Sequence, residues 1–324
     1  MPEQSEWIFP AALQPTAGEV EFDLDAVVRS VVMVHAEIPE SAFTASALGT
    51  ERVGSGVVIG TDGLVLTIGY LITEASSIWL TAHDGRVVPA HALAFDQSTG
   101  FGLVLPLGEL RLPQLERGSS RTLEVAEDVC VIGHGGLGHS LKAKVIARRE
   151  FAGYWEYVID DALFTAPPHP EWGGTALVGS DGRLRGIGSL LVQEAVSGES
   201  FDANMFVPID LLEPALQDLK ALGRRSGPPR PWLGLYATEI QDRLVIGSLA
   251  HSGPAQRAGV RRGDRVLAVA DSPVSSLAEL FRKIWSVGPA GTDVPLTLAR
   301  GQGTLRVRVQ SADRNDFLLK PSRH

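Results

Sequence analysis

The chain has 324 residues, enough for two domains of ordinary size. With 44% hydrophobic and 21% charged residues it can build a core, which excludes intrinsic disorder as its main state. A net charge of −9 gives no electrostatic footprint for nucleic acid or an anionic membrane surface. The single cysteine, Cys130, excludes an internal disulfide framework and a cysteine-only metal cage.

The opening MPEQSEWIFPAALQPTAGEV has neither the basic n-region nor the apolar h-region of a secretory signal, and no apolar run is long enough to span a bilayer. The expectation is a soluble, cytoplasmic protein without a membrane span. Residues 1–22 read as a polar arm with an aromatic pair, Trp7 and Phe9, either frayed or packed on a neighbouring subunit. Asp23 to Val34 has the spacing of a short helix running into a strand, and residues 38–52 read as an exposed loop.

Short apolar runs then alternate with turn signals. Gly56–Gly60 leads through Thr61-Asp62-Gly63 to Leu64–Thr67, and Ser77–Thr81 leads through Asp84-Gly85-Arg86 to Val87–Ala90. Further strands are predicted at 101–107, 128–133, 141–149, 155–160, 175–179 and 184–192. Strands at this spacing, joined by Asp-Gly turns, make a mainly β sandwich or barrel. Pro208–Leu222 reads as a helix with Leu211, Leu212, Ala215, Leu216, Leu219 and Leu222 on one face. The stretch 223–231, GRRSGPPRP, ends that helix and forms a linker. Beyond it, Ser276-x-x-Glu279 is a capping box ahead of an apolar stripe, Leu277, Leu280, Phe281 and Ile284.

Two motifs carry little chemistry. Gly133-x-Gly135-x-x-Gly138 matches a dinucleotide fingerprint, but Leu141–Val145 alternates like a strand where the helix facing a pyrophosphate should begin. His134 and His139 flank the same loop with no carboxylate or third histidine nearby in sequence. No cofactor and no metal are expected.

The order of pieces over 53–210 resembles the trypsin-like protease domain of the HtrA/Deg family, which usually carries PDZ domains after it. Val53–Ile59 with Asp62–Thr67 looks like that family's first barrel strands, and Asp84–Arg86 with Phe95–Thr99 like the next stretch. Asp128–Gly133 resembles the opening of the second barrel, Gly182–Gly188 the strand pair after the nucleophile, and Phe206–Ile209 the end of the domain. The resemblance implies a trypsin-like double six-stranded β-barrel followed by an α+β PDZ domain. The boundaries it implies are an arm (1–22), a protease-fold domain (23–222), a linker (223–231), a PDZ domain (232–313) and a tail (314–324).

The active centre departs from the family pattern at every position. The family histidine, a few residues after "LVLT", is replaced by Tyr70; the aspartate after "D-x-x-T" by Gly100; and the serine of "N-P-G-N-S-G-G-P-L" by Gly173. The oxyanion-loop glycine is replaced by Glu171. Gly173 has no nucleophilic atom, and a phenol is a poor general base at neutral pH. A carboxylate at 171 would resist the loop's backbone geometry and repel a developing oxyanion. Thr175, His169, His83 and Ser180 do not restore a triad spacing, and Cys130 lies in a strand-like run. Tyr70 and Trp172 are expected to fill the old cleft.

After the linker, Trp232-Leu233-Gly234-Leu235 looks like a PDZ carboxylate-binding loop, and Ser252–Val260 with Gly263–Val269 like the PDZ core. The resemblance implies binding of peptide or protein C-termini, or unfolded segments, by strand addition. It also implies a possible homo-trimer or mixed trimer through the arm, and relatives that often work outside the cytoplasm. The reading is a catalytically inactive HtrA-like pseudoprotease with a peptide-binding or scaffold role; the alternative is an active endopeptidase of protein quality control using a non-standard site.

Overall fold

A computed structural model describes residues 7–196, 199–241 and 243–320. The chain divides into two compact units: one formed by the chain up to Arg149, by Asp161–Arg225 and by the end from Leu319, the other by Glu150–Asp160 and Ser226–Leu318.

The first unit contains two closed barrels. Asp23 caps a short helix, α1 (Leu24–Arg29), by accepting the Ala26 N–H at 3.0 Å, and Leu24, Val27 and Val28 turn inward. Strands β1 (Val31–Glu37), β2 (Glu51–Val58), β3 (Val65–Ile68), β4 (Ser77–Thr81), β5 (Val87–Phe95) and β6 (Phe101–Pro106) close in the order β1-β2-β3-β6-β5-β4. Closure removes both sheet edges and turns Leu66, Ile68, Leu80, Phe101 and Leu103 into a fully buried core.

The second barrel runs β7 (Asp128–Ile132), β8 (Ser140–Gly153), β9 (Tyr157–Ala166), β10 (Ala176–Val178), β11 (Leu184–Val196) and β12 (Glu199–Pro208), closed in the order β10-β11-β12-β9-β8-β7. Strand β12 was legible in the sequence only at its end. Its polar positions interrupt the apolar alternation, and one of them, Asn204, is fully buried by a tertiary partner described below. The turn Leu137–His139 after the glycine motif is a single 3-10 turn leading straight into β8, so no helix faces the loop.

The loop 38–52 is not simply exposed. It contains a short helix, α2 (Ala45–Leu48), and is tied down by buried charge. Arg52, 4% exposed, donates to the carbonyls of Tyr70 (2.6 Å) and Thr73 (3.1 Å) and to Thr44 Oγ1 (2.8 Å). The Glu74 carboxylate accepts the N–H groups of Phe43 and Thr44 at 2.9 and 2.7 Å. Part of the N-terminal arm is likewise neither frayed nor free: Phe9 belongs to the second barrel's core with Val131, Leu141, Leu163, Leu177 and Phe206, and Trp7 packs beside it. The helix expected near 208–222 forms as a 3-10 turn, Ile209–Leu211, and α3 (Glu213–Leu222). It buries Ala215, Leu216 and Leu219 while Leu222 stays exposed.

The second unit is a sheet with two helices. Strands β13 (Leu235–Ile240), β14 (Arg243–Leu249), β15 (Arg265–Val269), β17 (Asp293–Arg300) and β18 (Gly303–Gln310) follow that spatial order, with β16 (Ser272–Pro273) on β15. Helices α4 (Pro254–Arg257) and α5 (Leu277–Ser286) complete it. Ser276 Oγ accepts the Glu279 N–H at 3.1 Å, but the Glu279 carboxylate returns to the Ser275 N–H at 2.8 Å, one residue before the expected partner. Leu277, Leu280, Phe281 and Ile284 are buried, as the stripe predicts. No helix among the described residues is long and apolar enough to cross a membrane.

Candidate functional site

The expected catalytic positions meet where the two barrels of the first unit face each other. Tyr70 sits on the 3-10 turn Gly69–Leu71 immediately after β3 and reaches across to donate its hydroxyl to the Ser189 carbonyl at 3.0 Å. Ser189 lies at a register shift in the β11–β12 pairing, which frees that carbonyl from the ladder. Burial drives the phenol's pKa well above its ordinary value, so the hydroxyl stays protonated and is not a base. Gly173 lies beneath this hydroxyl: a Cβ built there would stand 2.7 Å from Tyr70 Oη. The Gly173 carbonyl accepts the Ser55 N–H at 2.7 Å. The space left over is a depression of about 360 Å³ bordered by Arg52, Val53, Tyr70, Leu71, Glu171 and Trp172.

The loop before Gly173 is held by a buried histidine. His169, fully buried, receives its backbone anchor from Asn204, whose Oδ1 accepts the His169 N–H at 2.6 Å. Its Nδ1 accepts the Glu171 N–H at 3.1 Å, and Nε2 lies 3.0 Å from the His139 carbonyl. These partners assign one neutral tautomer, with the proton on Nε2. Burial lowers the His169 pKa to about 4, so the ring stays neutral. The Glu171 N–H is therefore turned onto His169 and is not offered to a developing oxyanion.

The Glu171 side chain is enclosed as well. Its Oε1 accepts the Trp7 indole N–H at 3.1 Å, and Oε2 lies 3.8 Å from both His134 Nε2 and His139 Nδ1. Sequence reasoning placed no carboxylate near those histidines; the fold supplies one from 32 residues beyond His139, far outside any local spacing. The separations are too long for metal ligation, and among the described residues no group of three or more could hold a metal ion. His134 Nδ1 also lies 3.1 Å from Ser55 Oγ, giving a Ser–His–Glu arrangement that no motif announced. Ser55 is fully buried and its Oγ already accepts the His134 N–H at 3.0 Å, so no substrate carbonyl reaches it. Thr175 Oγ1 is committed to the Trp172 carbonyl at 2.9 Å. Burial pushes the Cys130 thiol up to about 11, which makes it a poor nucleophile.

The third position is closed by backbone. Gly100 has φ +82°, a left-handed conformation in which an aspartate would be strained, and its carbonyl accepts the Gly69 N–H at 2.6 Å. The preceding Asp96 is 3% exposed and paired with the Arg225 guanidinium at 2.7–2.9 Å through both oxygens.

In the second unit the predicted peptide-binding residues form a cradle. The N–H groups of Leu233, Gly234 and Leu235 converge on one carboxylate oxygen, Glu156 Oε1, at 3.1, 2.8 and 3.3 Å. Gly234, at φ +69°, has the left-handed turn that aims its N–H into the cradle, while Trp232 is buried beneath. Sequence reasoning named the loop and missed its occupant, because Glu156 lies 77 residues before Leu233.

A double antiparallel barrel with its polar residues gathered at the meeting of the barrels, followed by a sheet–helix unit with a carboxylate-binding loop, defines a trypsin-fold protein with a PDZ module. The trypsin-like peptidase domain family matches residues 54–187 and the PDZ domain family residues 231–310. The chain is 29% identical over 273 residues to a probable periplasmic serine endoprotease DegP-like of Halomonas elongata, covering 80% of this chain and 56% of that protein. It is 28% identical over 333 residues to the serine protease PepD of Mycobacterium tuberculosis, covering 94% and 68%. Among solved structures, the HtrA-type protease AlgW with decapeptide superposes with a TM-score of 0.54 at 20% identity over 92% of this chain and 99% of that one. The serine endoprotease from Yersinia pestis gives 0.53 at 22% over 91% and 99%. The chain carries a trypsin-like peptidase domain and a PDZ domain, and across both it is similar to HtrA-type proteases. It spans 56% and 61% of the length of two DegP-like relatives.

Proposed function

We propose that this HtrA-like chain does not cleave peptide bonds and instead binds peptide or protein C-termini through its PDZ module, as a scaffold or regulator. The observation that carries the reading is the pairing of Gly173 with Tyr70: the nucleophile position has no side chain, and the phenol fills the space one would need. The engagement of the Glu171 N–H by His169 supports it, since an oxyanion hole alone can leave residual catalysis when a triad is lost. Incubation of the purified chain with unfolded casein and with a fluorophosphonate probe tests this; the expected result is neither turnover nor labelling, and labelling of any serine with turnover overturns it.

The competing reading is an active endopeptidase, favoured by the names of the relatives, which are serine endoproteases. Its best internal support is the Ser55–His134–Glu171 arrangement, and Ser55→Ala in the casein assay separates the two readings. The expected outcome is no change.

A further inference from the structure

The carboxylate-binding loop is already filled by a residue of the same unit. Glu156 lies at the tip of the β8–β9 hairpin, whose residues Glu150–Asp160 cluster with the PDZ module. Its backbone has φ +63°, a left-handed conformation that costs energy for glutamate and persists only where surrounding contacts enforce it. Those contacts are specific. Three loop N–H groups converge on Oε1, and Oε2 lies 3.3 Å from the Leu233 nitrogen. Val158 joins the same buried cluster as Leu233, Leu235, Phe281 and Ile284. Arg282 on α5 pairs with Glu150 at 2.6 Å and with Asp160, one residue from each side of the hairpin. Tyr154 meets Tyr236 of β13 edge-on, with ring centroids 6.1 Å apart.

The hairpin thus presents what a peptide's last residue presents: a carboxylate for the loop and an aliphatic side chain for the adjoining apolar cluster. We infer that residues 150–160 are an internal ligand of the PDZ module, and that a free C-terminal carboxylate binds only by displacing Glu156 from the N–H groups of Leu233, Gly234 and Leu235. The inference rests on the peptide-binding reading above. It adds that the resting module is closed by its own chain, and that peptide affinity is lowered by the fraction of molecules in which the loop is vacant.

The test uses the full chain and an array of decapeptides that differ in the last residue, each as free acid and as C-terminal amide. Glu156→Gly removes the carboxylate and relieves the left-handed backbone, so its fold is not put at risk; Glu156→Gln keeps a neutral acceptor of the same size. Free-acid peptides should bind the glycine variant about tenfold or more tightly than the native chain, the factor expected when the open loop is a tenth or less of the population. The glutamine variant, which keeps an uncharged acceptor in the cradle, should bind no more tightly than the native chain, and amides should bind none of them. Hydrogen exchange of the native hairpin amides should speed up when a free-acid peptide is bound. Equal affinities of native and glycine variants for free acids, or hairpin protection unchanged by bound peptide, overturn the internal-ligand inference while leaving peptide binding standing. Failure of every form to prefer acid over amide overturns the peptide-binding reading itself, and the cap with it.

Discussion

The hydroxyl of Tyr70 stands 2.7 Å from where a side-chain carbon on Gly173 would begin. The two residues form one packing arrangement: a residue with a Cβ at 173 needs the phenol to move, and the phenol is bonded to the Ser189 carbonyl.

Gly173→Ser should therefore not restore activity. Overpacking against the phenol should lower stability by about 1–3 kcal/mol, read as a lower denaturation midpoint, with no fluorophosphonate labelling. A gain of labelling from this single change would contradict the geometry.

Tyr70→Phe leaves the Ser189 carbonyl without its partner and should cost about 1–3 kcal/mol. In a double-mutant cycle with Gly173→Ala, the paired variant should be more stable than the sum of the singles predicts, because removing the hydroxyl makes the room that the methyl group needs. Strict additivity in urea denaturation would show that the two positions do not touch.

His169 gives the first unit a defined acid sensitivity. Its folded pKa, about 4, lies below the ordinary value of 6.5, so between those values the unfolded chain binds a proton that the folded chain refuses. Stability present above about pH 6.5 is lost as pH falls toward 4, with a slope of up to about 1.4 kcal/mol per pH unit. His169→Gln should flatten this part of the pH–stability curve, measured by urea denaturation, at the cost of a lower plateau at neutral pH.

Glu156 has the opposite sign. Burial, outweighing the three loop N–H groups and the Arg314 charge, raises its pKa from 4.5 to about 7. The closed form is favoured while the carboxyl is protonated and loses that advantage as pH rises through 7. Tyr236 also faces it, its phenol pushed above the ordinary value by burial, and Tyr154 packs edge-on against Tyr236. A peptide carboxylate, ionised throughout, should bind the native chain more tightly at pH 8 than at pH 5.5, whereas Glu156→Gly should bind with nearly pH-independent affinity in the same fluorescence titration.

The strands were readable from local signals, the alternation in Ser77–Thr81 and the turns at Asp62-Gly63 and Asp84-Gly85, and so was the helix of the second unit capped by Ser276; closure into barrels was implied only by the family resemblance. Tyr70, Gly100 and Gly173 were singled out by their offsets from stretches that resemble the family's pattern, and Tyr70 and Gly173 lie against each other in the fold. What stayed hidden were polar partners brought together across long chain separations. Nothing near Asn204 announces His169, nothing near Asp96 announces Arg225, and Glu156 fell unremarked inside the predicted strand 155–160. Such pairs leave no periodicity, because one buried acceptor and one buried donor satisfy each other wherever the topology sets them. The aromatic pair in the arm was read as either frayed or packed on a neighbouring subunit; it packs on the chain's own second barrel.

That last contact ties Trp7 to the loop at Glu171. Trp7 lies 4.3 Å from the His139 ring and 5.5 Å from that of His169, centroid to centroid, and its indole N–H is bonded to Glu171. Its contribution to the fluorescence should therefore report on that contact, falling when His169 takes up a proton at acid pH and shifting to the red when the indole leaves Glu171. Trimming the chain past Phe9 would silence that reporter and open the end of the second barrel in the same stroke.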